Sequence, residues 1–169
     1  MRASELAEMT CTVARSVSAI GDPWTLMIMK ELFLGQRRFD DIQTYTGISP
    51  HLLSVRMKRL ERHGIVQRRA YQQHPARYEY SLTEKGIDIW PILIAFKDWS
   101  AKWGTWPEGE PLRLRHKACS HITSLSVVCS HCAAAISARD VRSEMSPAMV
   151  DERASMARRG AKGAGAVRR

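Results

Sequence analysis

Apolar positions in the first third of the chain fall at helical rather than strand spacing. In "DPWTLMIMKELFLG", Leu26, Ile28, Met29, Leu32 and Phe33 are too many for a surface helix, which predicts a centrally buried one. Asp22 stands where a cap is needed, Pro23 fits the first turn and Gly35 ends the run. Upstream, Ser4 to Ile20 reads as a helix of weak periodicity closed by Gly21. Downstream, "RRFDDIQTYTG" predicts a shorter helix with Phe39 and Ile42 turned inward and Gly47 as its stop. Ser49 and Pro50 then open a fourth helix. Its Leu53, Met57 and Leu60 share one side at i, i+4 and i+7, and Gly64 closes it.

The period changes after Gly64. "IVQRRAY" and "RYEYSL" are β-rich runs on either side of "QQHPA", which predicts a hairpin. Thr83 caps a further long helix, "EKGIDIWPILIAFKDWSAKW". Ile87, Trp90 and Ile94 form one of its stripes, and Ile89, Leu93 and Phe96 form another on the opposite side. One stripe can pack on its own domain; the other needs cover, which a second copy supplies economically, unless both are internal core. "TWPEGEP" reads as a linker. The expected organisation is 1–104 as a mainly α domain with a small β-hairpin, 112–136 as a cysteine-bearing segment and 137–169 as a basic tail. After Val150 that tail holds six Arg/Lys against two acids among Gly and Ala, which predicts disorder.

Charge sharpens the picture. The chain carries a net charge of +9, which favours a polyanionic partner. From Arg56 to Arg77 seven Lys/Arg stand against one Glu, so the excess runs from helix into strands. The face opposite Leu53 and Leu60 carries His51, Val55, Lys58, Arg59 and Arg62, with Ser54 on its edge. A short helix and the tight "TYTGIS" turn precede it, which is the pattern of a helix-turn-helix. His51, Ser54, Val55 and Lys58 are then the base-proximal set, and Arg59 and Arg62 lie nearer phosphates. Arg68, Arg69 and Arg77 flank a loop containing His74, in the place of a wing that grips duplex DNA. A solvated amphipathic helix is the competing reading of the helix taken alone.

With these residues placed, the chain resembles the HxlR-type winged-helix transcriptional regulators. The matching stretches are Cys11, "IGDPWTLMIMKEL", "RRFDDIQ", "GISPHLLSVRMKRLERHGIVQRRAY", "HPARYEYSLTEKG" and Trp99, in the family's order and spacing from Cys11 to Trp103. Asp22-Pro23 stands where the family usually has Gly-Lys, a small departure at a helix start. The resemblance implies a homodimeric DNA-binding regulator that dimerises through its terminal helices. A twofold dimer would set two recognition helices about one DNA turn apart on an inverted-repeat operator. Repression is the expected sign, and a small-molecule effector or a redox signal the expected input. In some members a cysteine near the N-terminus senses oxidants, which makes Cys11 a candidate, with Arg15 one turn later to favour its thiolate. A small, buried apolar role for Cys11 is the blander reading.

The cysteine segment carries its own chemistry. His116-x-x-Cys119 and Cys129-x-x-Cys132 are two ligand pairs separated by nine residues, the pattern of a zinc-ribbon-like knuckle holding structural zinc. His121 or His131 lies close enough to replace His116. A thiol–disulfide switch and unliganded cysteines are the alternatives. No nucleophile elbow, phosphate-binding glycine loop or HExxH pair is present, so no enzyme is expected. No apolar run approaches a membrane span and the first ten residues lack an apolar signal core, so a cytoplasmic location is expected. The other functional class is a protein-interaction adapter in which the zinc segment docks a partner.

Overall fold

A computed structural model describes residues 3–166. The chain divides into two compact units: Asp22–Ala135, and a second formed by Met1–Gly21 with Ile136–Arg169.

In the larger unit, helix α3 (Pro23–Phe33) starts as its sequence dictates. Asp22 Oδ1 accepts from the Thr25 amide at 3.1 Å, and Pro23 occupies the first turn, where its missing N–H leaves no bond unmade. Helix α4 (Phe39–Thr46) ends at Gly47, which adopts the left-handed conformation at φ 70°. Helix α5 (Pro50–Arg62) follows, capped by Ser49. The core lies between these three helices. Ile28, Met29 and Leu32 of α3, Ile42 of α4, Ile48 of the turn, and Leu53, Met57 and Leu60 of α5 are almost fully buried. Each such side chain contributes about 1.5–3 kcal/mol through removal from water.

Strands β1 (Val66–Gln72) and β2 (Arg77–Leu82) form an antiparallel hairpin in which Val66 opposes Leu82 and Arg69 opposes Glu79. Its root is tied to α5. Thr83 Oγ1 donates to the Gly64 carbonyl at 2.6 Å and accepts from the Gly86 amide, and Lys85 Nζ donates to the His63 carbonyl at 2.8 Å. A Cβ on Gly86 would lie 2.2 Å from the Ile65 carbonyl oxygen, so only glycine admits this approach.

The single helix expected after Thr83 is two: α6 (Glu84–Ile87) and α7 (Trp90–Trp103). Pro91 has no amide to donate and would clash with the carbonyl one turn earlier, so the helix stops and restarts with proline in its first turn. Beyond α7 come two short strands, β3 (Leu114–Arg115) and β4 (Ile122–Thr123), paired antiparallel.

In the other unit, the expected Ser4–Ile20 helix is interrupted. Helix α1 (Ala3–Ala7) and helix α2 (Thr12–Ile20) are separated at Thr10, whose amide donates to the Glu152 carboxylate rather than to a helical carbonyl. Glu152 lies on helix α8 (Pro147–Ala166), which corrects the expectation of a disordered tail. Ser146 accepts from the Met149 amide at 3.3 Å, and the Ala, Arg, Lys and Met that follow are good helix formers. Local propensity therefore organises a stretch too polar to build a core. Residues 167–169 of that expected tail lie outside the described residues.

Candidate nucleic-acid interface

The turn between α4 and α5 is held at both ends. Thr46 Oγ1 donates to the Ile42 carbonyl at 2.6 Å, Gly47 reverses the chain, and Ile48 is buried at 1% exposure. Ser49 then accepts from the Leu52 amide at 3.4 Å and sets the direction of α5. Because Leu53, Met57 and Leu60 fill the core, the outer arc of α5 is determined by helical period alone.

That arc exposes His51, Val55, Lys58 and Arg62, with Ser54 and Arg59 half-buried at its edges. Arg56 points the other way. Its guanidinium meets Asp22 Oδ2 at 2.8 Å, so this arginine fastens α5 to the start of α3 and leaves the outer face. A groove runs between α5 and β1, lined by Val55, Lys58, Glu61, Arg62 and Arg68. Arg68 is braced there: its guanidinium sits 4.6 Å from the Tyr78 ring centre, and its Nε lies 3.4 Å from Glu61.

Strand alternation separates the two neighbouring arginines. Arg68 faces α5, whereas Arg69 projects from the opposite face of the hairpin, across from Glu79. Arg77 and His74 are exposed at the hairpin end. On the Arg69 face, Arg38 at the start of α4 reaches Glu79 at 3.6 Å and lies 5.1 Å from the Tyr71 ring centre. Arg38, Tyr71 and Arg77 line a second hollow between α4 and the hairpin. Sequence reasoning passed over Arg38 and Tyr71. The paired arginines of "QRRFDD" were the available signal, but joining them to Tyr71 needs the hairpin folded back.

His63, at the C-terminal end of α5, reports the local field. Burial lowers its pKa, and the Arg59, Lys85 and Arg62 charges lower it further. Burial and the three neighbouring cations together favour the neutral imidazole at the end of α5.

Cys11 is a free, half-buried thiol at the N-cap of α2, its carbonyl accepting from the Arg15 amide. His116 and Cys119 are brought together, with Nδ1 3.2 Å from Sγ. Cys129 and Cys132 also form a pair: the Cys132 and His131 amides and the Cys132 thiol are directed at the Cys129 sulfur and lower its pKa. Among the described residues, no three His, Cys, Asp or Glu side chains gather around one point. The structure therefore brings His116 to Cys119 and Cys129 to Cys132 but does not gather the four expected ligands into one site.

This arrangement of three helices, a hairpin wing and an outward-facing second helix of the turn defines a winged helix-turn-helix protein. The HxlR-like helix-turn-helix family model matches residues 19–107, and the chain belongs to that family of transcriptional regulators. It is 36% identical over 136 residues to Rv3095 of Mycobacterium tuberculosis, an uncharacterized HTH-type transcriptional regulator; the match spans 80% of this chain and 86% of the relative. To sll1512 of Synechocystis, described in the same words, it is 37% identical over 94 residues, 55% of this chain and 70% of the relative. Among solved structures, a candidate transcription factor, PA1607, superposes with a TM-score of 0.74 at 26% identity, covering 84% of this chain and 99% of that one. The oxidized form of the redox regulator HypR gives 0.52 at 31% identity, covering 57% of this chain and 100% of that one. These relatives are regulators rather than enzymes. No helix among the described residues is long and apolar enough to cross a membrane.

Proposed function

We propose that the protein binds double-stranded DNA as a homodimer and represses transcription by occupying an inverted-repeat operator. One observation carries this reading: the exposed arc of α5 bears His51, Val55, Lys58 and Arg62 and continues across a groove to Arg68. In the major groove, His51, Ser54, Val55 and Lys58 would meet base edges. Arg59, Arg62 and Arg68 would neutralise phosphates beside the helix, while Arg69, His74 and Arg77 would engage the backbone or minor groove at the wing.

The second copy would cover α7. Ile92, Phe96, Trp99 and Trp103 recur at i, i+4, i+7 and i+11, and the last three are 56%, 66% and 69% exposed. Neither stripe read from the sequence is wholly exposed, because Ile94 of one and Ile89 of the other are buried and Leu93 is half-buried. Cys11 is the candidate point at which an oxidant would act, in keeping with the redox regulator among the structural relatives; a small-molecule effector is the other input this reading admits.

Binding to duplexes from the region upstream of the protein's own gene, followed by fluorescence anisotropy across a salt series, tests the proposal. Affinity should fall linearly on a log–log plot, with a slope reflecting several phosphates. A salt-insensitive interaction, or no preference for any duplex over random sequence, would favour the adapter reading instead.

A further inference from the structure

The segment after α7 folds into the same turn twice, at an offset of thirteen residues (from His116 to Cys129). In the first turn the His116 amide donates to the His121 carbonyl at 2.9 Å, and the Ser120 amide to the His116 carbonyl at 2.8 Å. In the second, the Cys129 amide donates to the Ala134 carbonyl at 2.8 Å, and the Ala133 amide to the Cys129 carbonyl at 2.9 Å. Corresponding residues thus make corresponding bonds.

The repetition extends to an unfavourable conformation. Ser120 and Ala133 each follow the second member of a pair, and each has positive φ, 59° and 58°. Among the described residues they are the non-glycine positions with positive φ. A left-handed L-residue costs on the order of 1 kcal/mol, so two at equivalent places call for a common cause. Each turn is also closed by β pairing: Leu114 with Thr123 and Arg115 with Ile122 around the first, Val128 with Ala135 around the second.

Each turn brings its own two ligand-type residues together. His116 and Cys119 meet through nitrogen and sulfur, and backbone amides point at the Cys129 sulfur. Packing does not account for the segment, because no residue from Leu112 to Ala135 is buried.

We infer that the two turns are the halves of one tetrahedral metal site, in which His116, Cys119, Cys129 and Cys132 bind a single zinc ion. Nitrogen and sulfur donors in a one-to-three ratio suit zinc, and two-residue spacers aim each pair at one ion. The nine residues between Cys119 and Cys129 span at most about 30 Å extended, ample for the halves to close on each other. Binding exchanges three thiol protons for one Zn²⁺, the protons going to solvent. The ion would supply the cohesion that the segment lacks as a core. This inference stands independently of DNA binding.

The full-length protein, purified reduced and without chelator, should hold about one zinc per chain by elemental analysis. Cys119→Ser and Cys129→Ser should each reduce that content several-fold while circular dichroism retains the helices of the larger unit. Replacement of zinc by cobalt(II) should give the intense visible bands of a tetrahedral, thiolate-rich centre. Loss of zinc in the variants together with those bands would sustain the site. Full-length protein that stays reduced and folded in added zinc, yet retains none and gives no cobalt bands, would overturn it. So would mass mapping of a Cys129–Cys132 disulfide in protein prepared under reducing conditions.

Discussion

Arg56 and Asp22, thirty-four residues apart, meet at 2.8 Å, and the same carboxylate caps helix α3 with its other oxygen. One side chain therefore ties the start of the central helix α3 to helix α5. The Arg56 Nε is buried without a partner, so the guanidinium depends heavily on this contact. Asp22→Ala should cost about 2–4 kcal/mol, because it removes a cap and leaves a largely buried cation unpaired. Asp22→Asn should recover the cap, worth about 1 kcal/mol, but not the charge. Chemical denaturation of the three proteins measures the difference; equal stability would mean the pair does not hold α5 to α3.

Lys58 and Arg62 are exposed on the outer arc of α5, so their removal should leave the fold intact. Arg62→Ala should weaken binding to all duplexes alike and reduce the magnitude of the log–log salt slope by about one, whereas Lys58→Ala should relax sequence preference at the base it meets, at a cost of about 1–3 kcal/mol. Arg56→Ala should instead act chiefly on stability. Anisotropy titrations at several salt concentrations, beside thermal melts, separate the two effects.

His63 should make stability depend on pH. Its folded pKa is lowered from the ordinary value of 6.5, first by burial and then by Arg59, Lys85 and Arg62. Below that ordinary value the unfolded chain takes up a proton that the folded one resists, so unfolding is favoured as pH falls. Stability should therefore decline from pH 7 towards pH 5, and His63→Gln should flatten that part of the curve. A parallel decline in both proteins would assign the effect to other groups.

The exposed stripe on α7 predicts the outcome of charge substitution. Phe96→Glu and Trp99→Glu replace large, more than half-exposed apolar side chains, and so should leave the monomer fold intact. If this stripe is the twofold interface, each variant should sediment as a monomer and bind an inverted repeat at least tenfold more weakly, about 1.4 kcal/mol. Variants that remain dimeric would move the interface elsewhere.

Much of the protein was legible in its sequence because the relevant signals are local. Asp22, Ser49 and Thr83 cap within three residues of themselves, Gly47 ends its own helix, and Leu53, Met57 and Leu60 declare the inner face of α5 by period. The repeated ligand spacing around His116 and Cys129 was equally plain. What only the tertiary structure decided depends on contacts between distant residues. It turned Arg56 inward to Asp22, sent Arg68 and Arg69 to opposite faces of one hairpin, joined Arg38 to Tyr71, and gave the Thr10 amide to Glu152. A charge count weighs every arginine alike, whereas burial and pairing distinguish an arginine that holds the fold from one left facing solvent.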